Sequence, residues 1–205
     1  MSFLDMKHFR EIRNIQELEL LDESLSWAIR YNGASRTYYG RQGFLEITLF
    51  KRKGWLAIPV SDIDSFTQTF QQQLYEALIS HKYFDLQILL LDPKGFAGYS
   101  GTPTMDSLEE FRFETRPYYS VLFSGVPEPD FAIISIVSDY YIVAGEADFI
   151  YQVFGSDIQA RFSQFQDFAM SEGSDFFKEQ LTMLCNQLKD EYEKAEVGTE
   201  FRITP

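Results

Sequence analysis

The segment Phe131-Ala132-Ile133-Ile134-Ser135-Ile136-Val137-Ser138-Asp139-Tyr140-Tyr141-Ile142-Val143-Ala144-Gly145 reads as two strands and a tight turn. Phe131 to Val137 and Tyr140 to Ala144 are short apolar runs rich in β-branched and aromatic residues, and Ser138-Asp139 is a turn dipeptide between them. Two strands joined so closely must pair antiparallel, because a parallel pair needs a crossover of a dozen residues or more. Gly145 closes the second strand. Tyr118 to Phe123 reads as a strand before this pair. Leu86 to Leu91 is a continuous apolar run bounded by Asp85 and Asp92-Pro93, the pattern of a strand buried on both faces.

Downstream of Gly145 the period changes to that of helices. Glu146 to Phe154 is stopped by Gly155. Ser156 to Met170 opens on a capping box, Ser156 with Gln159. Ser174 to Lys194 carries Phe177, Leu181, Leu184, Leu188 and Tyr192 as one apolar stripe. Upstream, Ser61 to Ser80 reads as a helix with Phe66, Phe70, Leu74 and Leu78 in its stripe and Ser61/Asp64 as its cap. Phe44 to Phe50 and Trp55 to Val60 read as a hairpin around Lys51-Arg52-Lys53-Gly54. Ile15, Leu18, Leu21, Leu25, Ala28 and Ile29 recur at helical spacing, with Gly33 as the stop. Ser107 to Phe113 suits a short helix. Asp92 to Thr104, with three glycines and two prolines, reads as an irregular loop.

Clustered strands followed by a helical C-terminal third indicate an α+β fold. The expectation is a single domain over residues 1–205, with a mixed, mainly antiparallel sheet of five or six strands and helices on at least one face. Phe66, Phe70, Leu74, Leu78, Leu89, Ile134, Phe162, Leu181 and Leu188 are expected in the core.

The chain is acidic, with 18 Lys and Arg against 31 Asp and Glu and a formal charge of −13. The charge is uneven: residues 30–53 hold six basic residues and only Glu46 as an acid, while residues 104–205 hold 7 basic and 19 acidic residues. A negative field of this size repels nucleic acid and anionic membrane, so neither is expected as a partner, and it attracts basic proteins. Aromatic residues reach 17%, with 20 Phe and 12 Tyr, enough for a core and a contact surface.

Cys185 is the sole cysteine, and His8 and His81 are the only histidines. These exclude an intramolecular disulfide and the usual four-ligand zinc site. No signal peptide or apolar run of membrane-spanning length is present, so the cytoplasm is the expected location. The glycines at 95, 98 and 101 follow a strand, where backbone N–H groups can cradle phosphate, but the spacing fits neither a P-loop nor a dinucleotide fingerprint. A surface loop is the simpler reading. Asp92 and Asp139 stand near strand ends with no second catalytic group beside them and read as turn formers. His81 follows a helix end, where it complements the dipole. Cys185 reads as a small core residue. No catalytic, cofactor-binding or metal-binding residue is assigned.

The doublets Tyr38-Tyr39, Tyr118-Tyr119 and Tyr140-Tyr141 would place one ring on each face of a strand, leaving one for contact. Asp190, Glu191, Glu193 and Glu196 form the densest acidic patch. Tyr39, Tyr119, Tyr141 and these four acids are therefore the expected partner-binding residues. The functional expectation is a non-enzymatic binding protein for a basic partner, of the neutralising or escort kind. The alternatives are an enzyme or small-molecule-binding domain with a site assembled from distant residues, and a homo-oligomeric (for instance dimeric) assembly factor.

Overall fold

The computed structural model describes residues 4–25, 29–30, 46–47, 54–61, 67–92, 95–136 and 140–200. Its centre is a wholly antiparallel seven-stranded sheet. The strands are β1 (Phe9–Ile12), β4 (Trp55–Ser61), β5 (Leu86–Asp92), β6 (Gly95–Gly101), β7 (Tyr119–Ser124), β8 (Phe131–Ile136) and β9 (Tyr140–Glu146), in the spatial order β1-β6-β5-β7-β8-β9-β4. A separate two-stranded ladder joins β2 (Ile29–Arg30) to β3 (Glu46–Ile47).

The register explains why the strand sequences are apolar throughout. Ile58, Val143, Ile133, Leu122 and Ile88 form one cross-strand row, and Ile142, Ile134, Val121 and Leu89 form the neighbouring row on the other face. Every one of these residues is buried. Strands buried on both faces lose the apolar/polar alternation of a half-wet sheet, so both faces need helical cover.

On the first face lie α2 (Gln68–Ser80) and α4 (Ala147–Phe154). Phe149 of α4 meets Phe131 with ring centroids 5.1 Å apart, and Phe154 meets Phe70 of α2 at 5.7 Å. The helix α3 (Met105–Thr115) packs beside α2. On the second face, α1 (Ile15–Leu25) crosses β6, and α5 (Ile158–Ser171) sets Phe165 edge-on to Tyr140 at 5.3 Å. The long α6 (Asp175–Glu200) packs on α5 and β4. Of the expected core, Phe70, Leu74, Leu78, Leu89, Ile134, Phe162, Leu181 and Leu188 are buried; Phe66 lies outside the described residues. No helix among the described residues is long and apolar enough to cross a membrane.

Several expectations are corrected. The sheet has seven strands, not five or six. The stretch expected as a glycine loop is the strand β6, paired to β5 from Leu86↔Gly101 to Asp92↔Gly95 and to β1 on its other side. Its glycines are there for close packing: a Cβ at Gly98 would sit 2.5 Å from Leu18 Cδ2, and one at Gly101 would sit 2.7 Å from the His8 carbonyl oxygen. β5 ladders the whole length of β6 and β1 ladders Gly98 to Gly101 on its other side, so this stretch is sheet and not an open loop. Of the expected Phe44–Val60 hairpin, residues 44–45 and 48–53 lie outside the described residues; among those described, Glu46–Ile47 pairs with Ile29–Arg30, and Trp55–Ser61 pairs with β9. Lys51 to Lys53 lie outside the described residues.

The helix expected from Ser61 starts at Gln68. Ser61 belongs to β4, opposite Tyr140, and Thr67 is the cap, its Oγ1 accepting from the Phe70 N–H at 3.2 Å. Ser156 lies in a 3-10 turn, and no side-chain cap opens α5 at Asp157. The reciprocal box sits instead on α3, where Thr104 and Ser107 each accept from the other's backbone N–H at 2.9 Å. The first helix ends at Leu25, and Ile29 belongs to β2.

Candidate functional site

The helix α6 has two faces of different character. Leu181, Cys185, Leu188 and Tyr192 recur at three- and four-residue steps and are buried against α5 and β4. The Tyr192 ring meets Phe162 at 5.7 Å, and the Cys185 thiol donates to the Phe162 carbonyl at 3.5 Å. Burial pushes that thiol above its ordinary range, and it behaves as a core side chain.

The opposite face carries Phe176, Glu179, Met183 and Asp190 at steps of three, four and seven residues, all exposed. Phe176 and Met183 are each 49% exposed, and Phe177 is 43% exposed. The Phe176 and Phe177 rings meet edge-on at 5.7 Å. Met170, near the end of α5 and close to the turn from which α6 starts, is 61% exposed. Asp167, Glu172 and Asp175 belong to the same corner. Over residues 158–200 there are nine acidic and four basic residues.

The expected partner-binding residues separate into three groups. Asp190 and Glu193 are exposed on α6, and Glu191 is half-buried. Two lysines temper this patch. Lys194 Nζ donates to Glu191 Oε1 at 2.7 Å, which holds its ammonium above the usual lysine range, and Lys189 stands 3.9 Å from Glu193. Glu196 is helical. Tyr119 is half-buried on β7. Tyr141 is not at the surface: it is 2% exposed, and Tyr140 on the opposite face is buried under α5. The doublet does alternate across the sheet, but helices cover both sides, so neither ring is free for contact. Tyr39 lies outside the described residues. Phe177, expected in the buried stripe, stands instead at the exposed start of α6.

Phe176, Met183, Glu179 and Met170 were not expected as contact residues. The signal for them was present: Phe176 and Met183 are seven apart and out of phase with Leu181 and Leu188, which puts them on the polar side of the same helix.

Two other features carry chemistry. Ser120 and Ser135 lie directly opposite each other on β7 and β8, 0% and 1% exposed, and neither Oγ has a hydrogen-bond partner among the described residues. Around the end of α2, His81 stacks on Tyr83 at 5.4 Å and meets Phe149 edge-on at 5.7 Å. Burial, then the nearby carboxylates of Asp130 and Glu146, pushes the Tyr83 hydroxyl up to about 12. Among the described residues, no three His, Cys, Asp or Glu side chains converge as a metal site. Asp92 ends β5 opposite Gly95, and Asp139 lies outside the described residues.

No family model matches this chain, and the comparisons with curated proteins and with solved structures return no match.

Proposed function

We propose that this chain is a non-enzymatic binding protein that holds a basic protein partner, as a neutralising or escort protein does. The observation that carries this reading is the outward face of α6, where half-exposed Phe176 and Met183 alternate with the carboxylates of Glu179 and Asp190. In a chain of charge −13, such a face divides the work of recognition. Long-range attraction raises the encounter rate of a basic protein, and apolar anchors slow its departure. A rival reading, a small-molecule site within the fold, draws support only from the buried Ser120–Ser135 pair.

The test begins with capture from extract of the native cell at low salt and identification of what salt elutes. Association with the recovered partner should slow as salt rises, because screening acts over about 10 Å at 0.1 M. Asp190→Lys with Glu193→Lys should lower the association rate by more than it raises the dissociation rate. Retention of only acidic proteins, or association indifferent to salt and to both reversals, refutes the proposal.

A further inference from the structure

We draw no further inference here: the strongest candidate, the buried side-chain cluster in which the Ser120 and Ser135 hydroxyls share one cross-strand row of the sheet with Tyr141, is the pair already described, and nothing among the described residues shows what ligand it would hold.

Discussion

Replacing Gly101 by alanine should destabilise this protein more than replacing Gly98, although a Cβ at Gly98 meets the closer neighbour. The added Cβ at position 98 would stand 2.5 Å from Leu18 Cδ2 and 3.0 Å from Leu21 Cδ1. Both are side-chain ends, and Leu18 is only half-buried, so it can swing aside. At position 101 the Cβ would stand 2.7 Å from both the His8 carbonyl oxygen and Phe9 Cδ1. A carbonyl oxygen moves only with its backbone. That backbone is held, because the Glu110 carboxylate accepts from the N–H groups of both Lys7 and His8, the latter at 2.8 Å. Overpacking of this kind costs about 1–3 kcal/mol. For a chain of this size each kcal/mol moves the midpoint by about 2–4 °C, so Gly101→Ala should lower Tm by about 2–12 °C. Gly98→Ala should stay within about 1 kcal/mol of wild type, since the loss of unfolded-chain entropy offsets part of the clash. Urea titration and calorimetry measure both. Glu110→Ala should relax the entry to β1 and shrink the cost of Gly101→Ala, a non-additivity that a double-mutant cycle detects. Gly101→Ala within about 0.5 kcal/mol of wild type, or strict additivity with Glu110→Ala, would refute the packing of β1 on β6.

The remaining predictions concern buried groups. Ser120→Ala combined with Ser135→Ala should leave stability unchanged or raise it, because two desolvated hydroxyls without partners are replaced by apolar groups; a loss above about 1 kcal/mol would mean that they serve a bound water or ligand. Tyr83 has a hydroxyl pushed from 10.0 to about 12 in the folded chain. Its contribution is therefore complete below pH 10 and is lost between there and about 12, as the unfolded chain ionises first. Tyr83→Phe should flatten the fall of Tm over that window, and an unchanged alkaline profile would sink the assignment. Leu188→Ala, at a fully packed position of α6, should cost about 2–5 kcal/mol, whereas Met183→Ala should cost far less; equal shifts in urea midpoint would contradict the assigned faces.

What could be read from the residues alone follows from which forces are local. The helix around Leu74 and the strands on either side of Ser138-Asp139 announce themselves by period, and their cores are where the period puts them. The strand β1 was hidden because two of its four residues, Arg10 and Glu11, are charged, as suits a short sheet edge. The strand β6 was hidden because glycine is read as a loop former, whereas Gly98 and Gly101 are glycines to admit a crossing helix and a neighbouring backbone. That requirement lies in residues more than seventy positions away. Tyr141 was misplaced by assuming that a strand keeps one wet face, and a sheet covered on both sides has none.

The candidate surface shows the same division between quantity and place. Acidity is a count, legible at once, but its location on α6 and its partial neutralisation by Lys189 and Lys194 depend on helical phase. Phase also separates two sets of apolar residues on that helix. Leu181 and Leu188 satisfy the fold, and burial against α5 and β4 explains them fully. Phe176 and Met183 face the other way, and about half of each remains exposed. Exposed apolar side chains set beside carboxylates on one helix face are the feature from which the proposed basic-partner reading is argued, and net charge alone does not supply it.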